Sequence, residues 1–178
     1  CQCCGRVFAS LGPGGEPRCG DCLQEPPIYD HARAAFAYDG AARQLVLSLK
    51  HADRLYLAPL LADWLNRALQ GMPPSDGAGP RLVVPVPLHW RRLMARQYNQ
   101  AAELARALVA AHGQATGLAY RPDIIKRVRA TPPQGSDQAP SRHLNVRAAF
   151  GLMKPEAVKG AHLILVDDVI TTGATVNE

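Results

Sequence analysis

The sequence predicts an α/β fold, in which helices flank a parallel sheet, with a small cysteine-rich module at the N-terminus. Two short apolar runs, 81–87 and 163–166, have the length and continuity of strands buried on both faces of a parallel sheet. Apolar residues recur at helical spacing before and between these runs. All five cysteines lie within the first 22 residues, which sets this part of the chain apart from the rest.

The composition is that of a globular protein with a mild positive charge. Of the 178 residues, 47% are apolar and 20% are charged, which argues against disorder and suits one domain with or without a small appendage. No apolar run approaches the ~18 residues of a membrane span and no signal peptide opens the chain, so we expect a cytoplasmic protein. The net charge of +5 favours anionic partners such as phosphates or nucleic acid, although solubility is its commonest meaning.

The first module, residues 1–30, is predicted to bind structural zinc. Two Cys-x2-Cys pairs separated by fourteen residues have the spacing of a tetrahedral four-thiolate site, and the predicted ligands are Cys1, Cys4, Cys19 and Cys22. Four thiolates leave no open coordination position for catalysis. Disulfide bonds or idle thiols are the alternative, and Cys3 could replace Cys4 as a ligand.

Residues 31–80 are predicted to form a strand and helices. The run Arg33–Tyr38 suggests a short strand, and Asp39-Gly40 suggests a turn. From Ala41 the apolar spacing becomes helical and continues, after a break near Asp53, to Leu69. The segment 72–80 is rich in proline, glycine and serine, so we expect a linker or an exposed loop there.

The predicted core, residues 81–178, begins with the strand at 81–87, which its prolines terminate. Arg91, Arg92 and Arg96 follow at the start of a long amphipathic helix through Ala111. Backbone donors and arginines at such a point could bind a diphosphate, although arginines beside a helix start are usually solvated. Ile124–Val128 is a third predicted strand, and the polar stretch after it is a loop that is either functional or disordered.

Two acidic residues, Asp167 and Asp168, follow the apolar run 163–166 at the end where open α/β sheets bind ligands. The residues after them form a predicted turn that leads into a helix and presents hydroxyls and backbone N–H groups to a phosphate: Thr171, Thr172, Gly173, Ala174 and Thr175. The turn contains no lysine, so it is not a triphosphate-binding loop. The combination predicts a sugar-phosphate site. The alternative is an ordinary core strand followed by a capped helix.

The string VDDVITTGAT resembles the signature of type I phosphoribosyltransferases, which bind 5-phosphoribosyl-1-pyrophosphate (PRPP). More of the chain resembles one branch of that group, the competence-associated ComF family. The resemblance implies a type I phosphoribosyltransferase-like sheet capped by the zinc-bearing N-terminal hood. It also implies that Asp167 and Asp168 bind the ribose hydroxyls, that the turn 171–175 binds the 5′-phosphate, and that Mg²⁺ accompanies PRPP.

The segment PVPLHWRRLMARQYNQA resembles the pyrophosphate loop of the family. This implies that Val86, Pro87, Arg92 and Arg96 bind the pyrophosphate. Gln97 stands where the family has glycine, so a positive φ there would strain the chain. The family also has a lysine at the position of Lys50, but a lysine in the last turn of a helix is explained equally well by the helix dipole. Gln134, Arg142 and Asn145 match positions in the flexible loop of the family, which resembles a lid over PRPP.

The resemblance favours an enzyme that transfers phosphoribose, with release of pyrophosphate, to an unknown acceptor, and that is linked to DNA uptake. No catalytic residue is assigned. The competing hypothesis is a non-catalytic PRPP sensor that handles single-stranded DNA alongside DNA-uptake proteins, using a basic surface: Lys126, Arg127, Arg129, Arg142 and Arg147. Aromatic residues make up only 6%, which weakens a base-stacking version of it. Because the family continues beyond the position of Glu178, we expect further residues or a second copy of the chain to cover the sheet edge.

Overall fold

The computed structural model describes residues 1–6, 18–50, 52–72, 79–129, 148–171, 173 and 175–178. The described elements follow one another in this order: α1 (Gly20–Gln24), α2 (Gly40–Ser48), a 3₁₀ segment (Ala52–Leu57), α3 (Ala58–Gln70), β1 (Arg81–Pro85), α4 (Trp90–Arg96), α5 (Gln100–Thr116), β2 (Leu118–Tyr120), β3 (Ile125–Arg127), β4 (Phe150–Leu152), α6 (Pro155–Val158) and β5 (His162–Val166).

A three-stranded parallel sheet forms the centre, as the sequence predicts. β1 lies between β2 and β5, and Val83 of β1 pairs with Tyr120 on one side and Ile164 on the other. Helices α3 and α5 pack together over one face of this sheet. The core between them contains Val83, Leu104 and Leu108, each almost fully buried. Burying a side chain of this size contributes roughly 1.5–3 kcal/mol, so this layer is the main source of stability.

The predicted strand at Arg33–Tyr38 is wrong: this segment is irregular. Its first residue is bound to the N-terminal module, because the Arg33 guanidinium donates to the carbonyls of Gln2 and Cys1 at 2.8 and 3.3 Å. Further on, the Phe36 ring packs edge-on against Trp64, with ring centroids 5.2 Å apart. These contacts hold the segment in place through side chains, so it needs no partner strand.

The apolar run at 163–166 forms β5, but this strand is not buried on both faces. Within the described residues it is the edge of the sheet, and the side chains of Leu163 and Leu165 are 42% and 37% exposed. The third predicted strand also differs, since Ile125–Arg127 pairs antiparallel with Phe150–Leu152 in a separate two-stranded sheet. The continuous apolar runs therefore predicted where the strands lie in the sequence, but not which strands pair with them.

The long helix predicted through Ala111 is broken into α4 and α5 at Gln97. This residue ends α4 with φ +64°, and its N–H donates to the Leu93 carbonyl at 2.6 Å. The Asn99 side chain then accepts from the Ala101 N–H at 3.1 Å and caps the start of α5. Glycine adopts this left-handed conformation more readily than glutamine does.

Replacing Gln97 by glycine is expected to stabilise the protein by roughly 1 kcal/mol, because glycine adopts a positive φ without the steric cost that other residues carry. Urea unfolding of the native protein and the variant measures the difference. Gln97→Ala is the matched control, since alanine also has a Cβ and should give no gain. Equal stabilisation by glycine and alanine would show that the backbone conformation is not the cause.

None of the helices in the described parts of the chain has both the length and the apolar character that crossing a membrane requires.

Candidate functional site

The carboxyl ends of β1 and β5 meet at one edge of the sheet, where the chain continues into both predicted ligand segments. Pro85 pairs with Val166, and the next residue, Val86, donates its N–H to the Val166 carbonyl at 2.9 Å. The segment that begins at Val86 and Pro87 therefore lies beside the acidic pair that follows Val166. The sheet register alone brings these two segments together.

The side chains of Asp167 and Asp168 are half-buried and contact neighbouring polar groups. The Asp168 N–H donates to Asp167 Oδ1 at 2.9 Å. Lys50 Nζ lies 3.8 Å from Asp168 Oδ2, with the two side chains 29% and 22% exposed. Burial, followed by the negative charge of Asp168, raises the pKa of Asp167 to about 7. The pair can thus hold a proton near neutral pH in the absence of a cation or hydroxyl donors.

This raised pKa predicts a pH dependence of stability. Because the pKa of Asp167 in the folded protein exceeds that of an unfolded chain, its contribution is fully present below about pH 4 and is lost as the pH rises through about 7. We therefore expect the ligand-free protein to melt at a lower temperature at about pH 8 than at about pH 5.5. Asp167→Asn should remove that difference, and identical pH profiles for the two proteins would contradict the assignment.

Lys50 is a residue whose role the sequence left open, and the structure places it at the site. The chain reaches this position just after α2 ends. The Tyr98 hydroxyl donates to the carbonyl of the preceding residue, Leu49, at 2.8 Å, and the Asn99 side chain donates to the Val86 carbonyl at 3.0 Å. The turn between α4 and α5 therefore positions both Lys50 and the segment after β1.

Arg127 influences the electrostatics of the acidic pair. Burial, and then the positive charge of Arg92, lower the pKa of the Arg127 guanidinium, while Asp167 opposes them. Arg127 also lies over the Phe150 ring at 5.2 Å from its centroid. Arg92 and Asp167 are thus both close enough to Arg127 to influence its pKa. Arg127, which the sequence assigned to a basic surface, is partly buried, and no described contact brings the exposed Arg96 to the acidic pair.

The predicted phosphate turn is described at Thr171, Gly173 and Thr175. Gly173 has φ +76°, and its carbonyl accepts from the N–H groups of Val176 and Asn177, both at 3.0 Å. The described residues 175–178 form a turn rather than the expected helix. The remaining predicted ligand residues lie outside the described part of the chain: Thr172, Ala174, Gln134, Arg142 and Asn145.

The N-terminal part of the chain lies against this turn. A Cβ added to Gly173 would lie 3.2 Å from the Tyr29 hydroxyl, so the ring is in close contact with the turn. The Ile28 N–H donates to Asn177 Oδ1 at 3.0 Å. Sequence reasoning missed both contacts, and no local pattern could have revealed them, because the partners lie at opposite ends of the chain.

The four predicted metal ligands lie together. The sulfur atoms of Cys1, Cys4, Cys19 and Cys22 are all within 4.8 Å of one another, and all five cysteines have free thiols. Four sulfurs around a tetrahedral zinc ion lie about 3.8 Å apart, since each is about 2.3 Å from the metal. Cys4 Sγ and Cys19 Sγ are 3.7 Å apart. The cluster could therefore hold a metal ion such as zinc.

Cys3 lies outside this cluster, with its sulfur 3.8 Å from the Asp30 carbonyl oxygen. Burial raises the pKa of the Cys22 thiol to about 12, whereas a hydrogen bond from the Cys22 N–H lowers the pKa of Cys19. Bringing four such thiols together without a cation is unfavourable once they ionise, and a divalent metal offsets that repulsion.

Several curated proteins are similar to most of this chain. It is 38% identical over 169 residues to the DNA utilization protein YhgH of Salmonella typhi, covering 93% of this chain and 72% of that protein. It is 34% identical over 162 residues to the protein of the same name in Escherichia coli K12, covering 90% and 68%. It is also 31% identical over 162 residues to Competence protein F of Haemophilus influenzae, covering 90% and 69%.

This chain belongs to the ComF family. No family model matches it, and no solved structure matches it. In this ComF protein the similarity to these relatives covers nine-tenths of the chain or more. The resemblance stated from the sequence is confirmed.

Proposed function

We propose that this ComF protein binds PRPP together with Mg²⁺ at the edge of its sheet. The observation that carries the proposal is the juxtaposition of the acidic pair, Lys50 and the segment after β1 at the carboxyl ends of two parallel strands. That edge is where open α/β sheets bind their ligands. Half-buried carboxylates suit paired ribose hydroxyls, while the cationic groups around them suit a diphosphate.

Each part of PRPP has a proposed set of partners. Asp167 and Asp168 accept hydrogen bonds from the ribose hydroxyls, with Lys50 beside Asp168. The 5′-phosphate is held by the turn 171–175, through Thr171, Thr172, Gly173, Ala174 and Thr175. The pyrophosphate lies against the segment at Val86 and Pro87 and is held by the side chains of Arg92 and Arg96. The lid residues Gln134, Arg142 and Asn145 cover the bound ligand and exclude water.

The donor set at the site fits Mg²⁺, which prefers carboxylate oxygens and phosphate oxygens. When bound, the ion supplies positive charge to the leaving pyrophosphate. The side chains of this protein position PRPP and stabilise charge, which suits a reaction that needs little further chemistry from protein groups.

The proposed reaction is phosphoribosyl transfer. The bond between the anomeric carbon and the pyrophosphate oxygen breaks, its electron pair leaves with pyrophosphate, and a nitrogen of the acceptor bonds to the anomeric carbon. The acceptor nitrogen loses a proton to solvent. The described residues do not define an acceptor, so the proposal extends to the reaction class and not to its second substrate.

We also propose that Cys1, Cys4, Cys19 and Cys22 bind a structural zinc ion. The mutual distances of the four sulfur atoms support this, as does their closed tetrahedral set, which leaves no position for substrate. The ion would hold the N-terminal module in a conformation that its short helix α1, of five residues, could not maintain alone.

Calorimetric titration with PRPP and Mg²⁺ tests the ligand site. We expect saturable binding of one PRPP per chain that requires Mg²⁺, and no heat of binding at millimolar PRPP would refute the proposal. Turnover is tested separately by pyrophosphate release in the presence of purines, pyrimidines and amines. PRPP binding without pyrophosphate release in any of these mixtures would favour a PRPP sensor over a transferase.

A second candidate function is the handling of single-stranded DNA in DNA uptake, together with DNA-uptake proteins or a second copy of the chain. The names of its relatives, DNA utilization protein and Competence protein F, favour it, and the net charge of +5 is compatible with it. Retention of single-stranded DNA that weakens steeply with salt would support this function. Absence of retention at low salt would exclude it without affecting PRPP binding.

A further inference from the structure

Helix α4 presents an exposed apolar face. Trp90, Leu93 and Met94 are 61%, 41% and 75% exposed. Residues at positions i, i+3 and i+4 of a helix lie on the same side, so these three side chains are neighbours. Single exposed apolar residues are common on protein surfaces, but a contiguous group led by tryptophan typically marks a binding surface.

The charged residues of α4 are all positive. The α4 sequence, WRRLMAR, contains three arginines and no acidic residue. The Arg91 guanidinium lies 5.4 Å from the centroid of the Trp90 ring, and Arg96 is exposed at the other end of the helix. The surface therefore combines an aromatic ring and aliphatic contacts with groups that attract phosphates. This combination complements a flexible polyanion whose bases have flat faces.

The Trp90 ring lies beside the buried His89 side chain at the capped start of α4. The preceding residue, His89, is 8% exposed, and its Nδ1 accepts from the Arg91 N–H at 3.3 Å, which caps the start of α4. The His89 and Trp90 rings are 5.7 Å apart and inclined at 39°. A ring that is already oriented loses little conformational freedom when a base stacks on it.

We propose that the face formed by Trp90, Leu93 and Met94, with Arg91 beside it, is a stacking platform for single-stranded nucleic acid. The inference rests on the second candidate function and gives it a location. The basic strand β3 suits that role less well, because Arg127 there is partly buried and lies near Asp167. Low aromatic content does not oppose the platform, since one exposed indole suffices to stack a base.

Tryptophan fluorescence can report on Trp90 alone, because the chain has only two tryptophans. The other, Trp64, lies in α3 and packs against Phe36. In the zinc-loaded Trp64→Phe protein, Trp90 is the remaining tryptophan, and we expect an oligo-dT of about twelve nucleotides to quench its emission. In the Trp90→Phe protein, where Trp64 remains, the same oligonucleotide should leave the emission nearly unchanged.

Affinity for a labelled oligo-dT, measured by anisotropy, supplies the second readout. Trp90→Ala should weaken binding roughly tenfold, because base stacking on an aromatic ring contributes about 1–3 kcal/mol. Arg91→Gln should lower the slope of log affinity against log salt by about one. Tyr56→Ala is the matched control, since Tyr56 is 71% exposed in the 3₁₀ segment and should leave the affinity unchanged.

Three results would overturn the platform. Unchanged oligo-dT affinity in Trp90→Ala would place the DNA site elsewhere. A concentration-dependent dimer that Trp90→Ala dissociates, with no effect on DNA binding, would make the face a protein interface. Failure of the native protein to bind oligo-dT would remove both the platform and the second candidate function. Calorimetry on the same preparation measures PRPP binding independently. It therefore distinguishes each of these outcomes from a failure of the PRPP site.

Discussion

Replacing Cys4 by serine is expected to abolish binding of the proposed zinc ion and unfold the N-terminal module, the largest single effect we predict. Structural zinc sites contribute on the order of 10 kcal/mol to the folding of small modules, because the unliganded chain has no site of its own. Here the four sulfur atoms are within 4.8 Å of one another, while the described residues of the module, 1–6 and 18–30, contain a single helix of five residues. Little else in this module could replace the metal.

The loss of zinc should also affect the turn 171–175, which we propose to hold the 5′-phosphate. Tyr29 contacts Gly173, and the Ile28 N–H donates to the Asn177 side chain at 3.0 Å, so the module supports the turn from one side. Loss of zinc should therefore weaken PRPP binding as well as expose the N-terminal segment to proteases. Zinc content per chain, limited proteolysis and PRPP calorimetry measure the three effects.

Cys3→Ser is the matched control, because this thiol lies outside the cluster beside the Asp30 carbonyl. It should retain one zinc ion per chain and resist proteases as the native protein does. The zinc assignment would be wrong if Cys4→Ser retained its metal, or if Cys3→Ser lost it.

Asp168→Asn is expected to lower the affinity for PRPP about a hundredfold. Hydrogen bonds to a charged group contribute roughly 1.5–3 kcal/mol each, and a factor of ten in affinity corresponds to about 1.4 kcal/mol. The amide preserves the shape of the side chain but removes the negative charge that a ribose hydroxyl and Mg²⁺ would meet. It also leaves Lys50 Nζ, now 3.8 Å from Asp168 Oδ2, without its anionic partner.

Calorimetry with PRPP and Mg²⁺ measures this loss, and thermal melting shows whether the variant remains folded. Asp123→Asn is the matched control, because Asp123 pairs with Arg121 and Lys154 in the exposed turn before β3. Removing such a surface ion pair should change the affinity by no more than about twofold. Native affinity in folded Asp168→Asn would refute the ribose assignment while leaving the zinc site untouched.

Some parts of the fold followed directly from local patterns. The apolar runs located β1 and β5, because a strand buried in a parallel sheet needs several consecutive apolar residues. Helical periodicity located α2 and α3 and the break between them. The short strands β2 and β4 were missed, since each has three residues and too little pattern to recognise.

Other parts could not follow from local patterns. Gln97 breaks the predicted helix because the chain must turn between α4 and α5, and only the packed structure imposes that turn. Arg127 was assigned to a basic surface on its sequence neighbours alone. Its actual surroundings include Arg92, Phe150 and Asp167, which come from three other segments.

By itself, the sequence determined which chemical groups this ComF protein carries and their local spacing: two Cys-x2-Cys pairs, and two adjacent acids followed by a turn of small residues. These features depend only on the order of residues along the chain. The tertiary structure decided which distant groups meet them, namely Lys50 at Asp168 and Tyr29 at Gly173, and it raised the pKa of Asp167 to about 7. Burial and long-range contacts arise only when the helices and strands pack together, and no local pattern specifies them.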